Sequence, residues 1–240
     1  MLPADLQTIW VYLAATPLLG LTLTLLAYLA GTHLFARGRG SPLLNPVMIS
    51  VALVILVLKA TGTDYQAYFQ GAQFVHFLLG PATVALALPL YRQLGALRRS
   101  MLAVAAALVA GSAVAAVSAM AIARGLGAEP QTVLSMAPKS VTMPIAMGVA
   151  EQIGGLPSLT AALVLLTGIC GAVIGPWVLD RLRIRDARAR GLALGTAAHG
   201  IGTARALQES QTAGAFSGLA MGLNGMITAI LVPLLAGWFQ

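Results

Sequence analysis

The chain has 240 residues, 58% of them apolar and 9% charged, with a mean hydropathy of +0.87. That composition excludes an ordinary soluble domain and predicts an all-α integral membrane protein, because Leu, Ala, Val and Ile fill several runs of about 20 residues, enough to cross a hydrocarbon core of about 30 Å. A formal charge of +7 would suit nucleic acid on a continuous basic face, but the arginines stand in short stretches between apolar runs, so they read as topology signals and the expected partner is the lipid bilayer, not nucleic acid.

One polytopic membrane domain over residues 1–240 accounts for the whole length. The N-terminus lacks a basic stretch ahead of its first apolar run and a small-residue cleavage site behind it, so residue 1 is taken as the start. The first span is expected over about Leu6 to Ala36 and is closed by Arg37 and Arg39. The second covers about Leu43 to Ala60, and a polar connector from Thr61 to Gly71, with Asp64 but no arginine, is expected outside. The third, about Ala72 to Tyr91, carries Gly80, Pro81 and Pro89 and runs into Arg92, Arg98 and Arg99 on the cytoplasmic side. The fourth, Met101 to Ala123, is rich in Ala, Gly and Ser, which let membrane helices pack backbone to backbone.

Next comes APKSVTMPIAMGVAEQIGG, Ala137 to Gly155, with a lysine, two prolines, two hydroxyls and a carboxylate inside hydrocarbon-compatible sequence. Pro138 suits the first turn of a helix, where its missing N–H has no intrahelical partner, and Pro144 weakens the helix again. A short half-helix is therefore expected, its positive end reinforced by Lys139 and Ser140 and its end marked by Gly154. An uninterrupted span from about Leu159 to Leu179 leads to DRLRIRDARAR, whose five arginines place that loop in the cytoplasm. A second broken stretch, LALGTAAHGIGTARAL within Gly191 to Ser210, precedes the last span, Ala213 to Trp238.

Parity then bears on the first break. If Gln131 to Gly154 crossed the bilayer, the five-arginine loop would face away from Arg37, Arg39, Arg92, Arg98 and Arg99; if it enters and leaves on the outer side, ten of the fourteen basic residues are cytoplasmic. The re-entrant arrangement is preferred. Entry of the second break from inside would place the two breaks opposite each other, where protein or a water-filled cavity must satisfy the irregular backbone. The expected fold is thus about six transmembrane helices plus two broken or re-entrant segments, with Pro81, Pro138, Pro144 and Gly154 as structural breaks. A faint likeness of residues 81–95 to 140–154, pairing Thr83 with Thr142, Ala87 with Ala146, Gln93 with Gln152 and Gly95 with Gly154, is the kind of trace that inverted repeats leave in transporters and would instead make 131–154 a full span.

Lys139 reads as a carboxylate-binding ammonium, against the plainer alternative of a lysine snorkelling to the outer interface. Around the second break, Gly200 and Gly202 expose backbone N–H groups, while His199 and Thr203 supply hydrogen bonds that orient a small carboxylate; a packed histidine bonded to a neighbouring carbonyl is the alternative. Arg205 either clamps a carboxylate bidentately or pairs with Glu209 one turn later. Glu151 and Gln152 fit a solvated helix end, Lys59 a snorkelling side chain, and Asn224 an interhelical hydrogen bond. Cys170 receives a packing role, and no disulfide, metal cluster, cofactor site, phosphate loop or catalytic triad is legible.

PKSVTMPIAM, ARGLALGTAAHGIGTARAL and GAFSGLAMGLNGMITAILVPL together resemble the LrgB/CidB family over nearly the whole chain, most specifically from Pro138 onwards. The resemblance implies a multi-pass protein of the inner (cytoplasmic) membrane, and because no nucleophile and base pair is visible in the sequence, an enzyme is not expected. It implies either of two activities: transport of small monocarboxylates of the pyruvate, lactate, glycolate or glycerate class, the last two as in the related plastid translocator, or antiholin-like regulation of murein hydrolases and lysis beside an LrgA/CidA-type membrane subunit. Carried over by motif, the pathway residues are Lys139, Ser140 and Thr142, with His199, Gly200, Gly202, Thr203 and Arg205, framed by Pro138 and Pro144. Relatives often have Ser where Ala198 stands, so a hydroxyl contact there is missing. Small-residue faces on the fourth and last spans further predict a homodimer.

Overall fold

The computed structural model describes residues 17–38, 44–78, 81, 84–85, 87–92 and 94–239. Contacts divide the chain into two units, Met1–Val84 and Ala85–Gln240.

The first unit holds α1 (Pro17–Arg37), α2 (Pro46–Thr61) and α3 (Tyr65–Phe77). Asn45 opens α2 by accepting hydrogen bonds from the N–H groups of Val47 and Met48, and Gly62 closes it in a left-handed cap with φ +66°. The connector expected to reach Gly71 therefore ends at Asp64, and α3 begins at Tyr65. Two things start a helix there despite its polarity. The Asp64 carboxylate accepts from the Gln66 N–H at 2.9 Å, and the Tyr68 hydroxyl meets Thr24 of α1 at 2.8 Å. The first eleven residues of the span predicted from Leu6, and most of residues 79–86 around Pro81, lie outside the described residues.

The second unit holds α4 (Ala87–Arg92), α5 (Leu94–Gly125), α6 (Pro130–Met136), α7 (Met143–Ile153), α8 (Pro157–Arg181), α9 (Ala187–Glu209) and α10 (Gln211–Ala236). Among the described residues, four helices are long and apolar enough to cross a membrane: Leu18–Arg37, Arg98–Gly125, Pro157–Arg181 and Gln211–Ala236. Pro46–Thr61 is apolar but shorter. The protein is an all-α integral membrane protein. Helices α5 and α10 run parallel, since Val104 and Leu108 pack on Phe216 and Ala220 while Met120 and Ala123 pack with Val232 and Ala236. At one end the Arg124 guanidinium donates to the Trp238 carbonyl at 3.4 Å. At the other, Arg190 at the start of α9 donates to Asp180 at 2.6 Å and to Glu209 at 2.7 Å.

That last pair settles the shape of α9. Arg190 and Glu209 lie at opposite ends of the element, and they meet because the backbone reverses at Ala198 (φ −129°, ψ 17°) and His199 (φ 41°, ψ −130°). α9 is therefore a hairpin of two half-helices with its tip at Ala198–His199 and both feet on the arginine-rich end. A Cβ on Gly202 would stand 2.2 Å from the Leu194 carbonyl oxygen of the facing half, so only glycine permits that approach.

The first break is a hairpin too, entering from the opposite end. α6 goes in, residues 137–142 turn, and α7 returns to Gly154, whose φ of +86° closes it. The chain then passes back beside α6: the Leu156 N–H donates to Ser135 Oγ at 2.7 Å, and Thr160 Oγ1 to the Ser135 carbonyl at 3.0 Å. Val149 and Ile153 of α7 pack with Val133 and Leu134 of α6. Within this unit a span followed by a hairpin (α5 with α6 and α7) is succeeded by another span followed by a hairpin (α8 with α9) of opposite direction, an inverted-topology pattern.

Candidate functional site

The half-helix expected to start at Pro138 starts elsewhere. Pro138 is fully buried in the turn, and α7 begins at Met143 with Pro144 in its first turn and Thr142 as its cap. A proline in the first turn costs no hydrogen bond; Pro144 opens the helix that it was expected to weaken. Lys139 and Ser140 thus belong to the hairpin tip, a turn and not a helix end. Thr142 makes no side-chain cap bond.

The tips of the two hairpins meet at mid-depth on one side chain. Asn224, 1% exposed and midway along α10, donates through its amide to the Thr196 carbonyl at 3.0 Å and the Ser140 carbonyl at 3.4 Å. Ser112 of α5 donates to the Asn224 carbonyl oxygen. One carboxamide therefore joins both tips to both parallel spans, satisfying carbonyls that the broken backbone leaves open.

Beside this junction is a cleft of about 940 Å³ lined by α5, α8, the first half of α9 and the tip of the first hairpin. Lys139, Ser140, Thr167, Cys170 and Thr196 line it, and the remaining walls are apolar. The Lys139 ammonium is half-buried, with its side-chain hydrogen bond going to Ser140 Oγ at 3.4 Å. The ion pairs among the described residues join Arg188 to Asp186 and Arg190 to Asp180 and Glu209; none includes Lys139. An ammonium held in a largely apolar cleft without a counter-charge attracts an anion.

The second group of predicted residues lies around the α9 tip and does not line this cleft. His199 is buried, and its Nε2–H donates to the Val164 carbonyl of α8 at 3.1 Å; a Cβ on Gly168 would stand 2.8 Å from its ring. Thr203 donates to the His199 carbonyl at 2.9 Å and shares a hydrogen bond with Ser217 at 3.0 Å. Gly200 is exposed and Gly202 buried in the hairpin seam. The Arg205–Glu209 pair does not form. Arg190 takes Glu209 with a two-pronged contact at 2.7 and 3.1 Å, and Arg205 turns to Gln208 at 3.1 Å.

Residues 24–238 match the model of the LrgB-like family. The chain belongs to that family. Antiholin-like protein LrgB of Bacillus mycoides (strain KBAB4) is 32% identical over 219 residues, 91% of this chain and 95% of the relative, and the proteins of that name from Bacillus cereus (strain B4264) and Bacillus anthracis (strain CDC 684 / NRRL 3495) match to the same extent. No solved structure matches this LrgB-like chain. Residues that sequence reasoning did not place in the site are Thr167, Cys170 and Thr196 on the cleft wall and the Ser112–Asn224 pair. Their signal was weak, because a hydroxyl or thiol in an apolar helix reads as packing unless a facing break is known.

Proposed function

We propose that this LrgB-like protein is a secondary transporter of small monocarboxylates, of the pyruvate, lactate, glycolate or glycerate class, working by alternating access at a mid-depth anion site. The observation that carries this reading is Lys139: a half-buried ammonium on a hairpin tip, facing a cleft, with no acidic partner among the described ion pairs. Ser140, Thr167 and Thr196 offer hydroxyls to the same anion. Thr142 and the His199–Arg205 group, placed off the cleft here, would join the pathway in another state, when the hairpins part. The reading assigns no catalysed reaction, and sets the protein in the cytoplasmic membrane as a single polytopic domain and a twofold homodimer, for which a detergent-corrected mass of two chains is expected.

The name of the relatives, antiholin-like protein, favours a second reading: a membrane regulator of murein hydrolase export or lysis that acts with an LrgA/CidA-type subunit. Uptake separates the two. Proteoliposomes containing only this protein should accumulate labelled pyruvate, lactate, glycolate or glycerate faster than protein-free vesicles; uptake of all four at the protein-free rate would leave the regulator reading.

A further inference from the structure

The polar groups of the cleft share one layer at the depth of the hairpin tips. On the first tip Lys139 donates to Ser140 Oγ at 3.4 Å, which leaves the Ser140 hydroxyl hydrogen to a ligand. On the α8 wall stand Thr167 and Cys170, and beyond them towards the arginine-rich end the α8 lining is apolar. Two close approaches fix the level of that wall: a Cβ on Gly168 would stand 2.8 Å from the His199 ring, and one on Gly171 2.5 Å from Ala198 Cβ. Thr167 is therefore level with the reversal of α9, and Asn224 ties the residues before that reversal to Ser140 through the Thr196 and Ser140 carbonyls. Thr24, Thr61, Thr196 and Thr203 each donate to the carbonyl four residues back at 2.8 or 2.9 Å, the usual use of a hydroxyl in an apolar helix. Thr167 does not. Its hydroxyl lines the cleft and has no hydrogen-bond partner among the described residues.

Resting on the anion site proposed above, we infer that Thr167 determines specificity by binding the oxygen on the carbon next to the carboxylate, while Lys139 and Ser140 hold the carboxylate itself. A threonine hydroxyl donates and accepts, so it serves the keto oxygen of pyruvate as a donor and the hydroxyl of lactate, glycolate or glycerate in either sense. An acid without that oxygen loses the hydrogen bond. An acid that carries it one carbon further out loses it too, because the thiol of Cys170 is only a weak donor and the α8 lining beyond is apolar.

Binding to the full-length protein in lipid nanodiscs, with empty nanodiscs subtracted, tests this with lactate, its isomer 3-hydroxypropionate and propionate, three acids of equal carbon number and charge. The parent protein should bind lactate about fivefold more tightly than either of the others, the factor that corresponds to one hydrogen bond of about 1 kcal/mol. Thr167→Val removes the hydroxyl at nearly constant shape and should bring the ratio of lactate to propionate affinity to about one, whereas Thr167→Ser should keep the preference. General destabilisation weakens both acids together and does not move that ratio. Equal affinity for the three acids in the parent, or a lactate preference that survives Thr167→Val, with Lys139→Ala still abolishing binding, would overturn the inference and leave the anion site standing. If the parent binds none of the acids, or Lys139→Ala binds them all as the parent does, the anion site fails and the inference with it.

Discussion

His199 adopts φ +41°, a conformation that costs a non-glycine residue about 1–3 kcal/mol and persists only where its surroundings enforce it. The Val164 carbonyl on its ring and the Thr203 hydroxyl on its carbonyl are those surroundings. Three positions away, Gly202 lets the two halves of α9 touch. Gly202→Ala must move the Leu194 backbone and is expected to cost about 1–3 kcal/mol as overpacking; a melting temperature within error of the parent protein would refute the contact. At the foot of the same hairpin, Asp186 accepts hydrogen bonds from the Arg188 backbone and side chain. The Arg188 side-chain bond first, then the backbone bond, hold its carboxyl down at about 2. A lowered folded pKa stabilises at all pH above the unfolded value near 3.8 and loses that contribution as pH falls towards 2. The carboxylate is largely exposed, so solvent screening keeps the effect small. The stability difference between the parent and Asp186→Asn is expected to be constant above pH 5 and to shrink below about pH 4; a difference that grows on acidification would contradict it.

Broken elements separate what could be read in advance from what could not. Both interruptions were visible as polar and glycine-rich residues in apolar sequence, and the arginine pattern gave the opposed entry of the hairpins, which the structure shows through Arg190 at one end and Arg124 at the other. The exact turns were not legible. Pro138 and Pro144 both satisfy the rule for a first helical turn, and only the packing of Pro138 in the hairpin tip decides between them. Arg205 and Glu209 satisfy the spacing rule for a helical ion pair, but the reversal at Ala198–His199 brings Arg190, nineteen residues from Glu209, closer. A hairpin fold overrides helical spacing. Asn224 is the element-scale consequence: Asn224→Leu leaves the Ser140 and Thr196 carbonyls unpaired and is expected to destabilise by about 1–3 kcal/mol. Because it unlinks the tips, it should also change the rate at which a charged thiol reagent modifies Cys170 on the cleft wall. An unchanged rate in a destabilised variant would reduce Asn224 to a packing role.

At the scale of the whole second unit, Arg98, Arg99 and the arginines from Arg181 to Arg190 share one end, and Arg124 marks the other. The positive-inside rule assigns the crowded end to the cytoplasm. Single cysteines at Leu126 and Arg185, in a Cys170→Ala background, should label from opposite faces of the membrane, and labelling from one face would contradict the opposed hairpins.

The most direct test of the anion site is Lys139 itself, by uptake of the cognate acid into proteoliposomes made from parent, Lys139→Ala and Lys139→Arg proteins of matched folding and orientation. Lys139→Ala should reduce uptake to the protein-free rate, and Lys139→Arg should restore part of it, because the guanidinium keeps the charge but presents a planar fork in place of a compact ammonium. Uptake by Lys139→Ala at the parent rate would contradict the anion site and leave the antiholin-like reading as the better one.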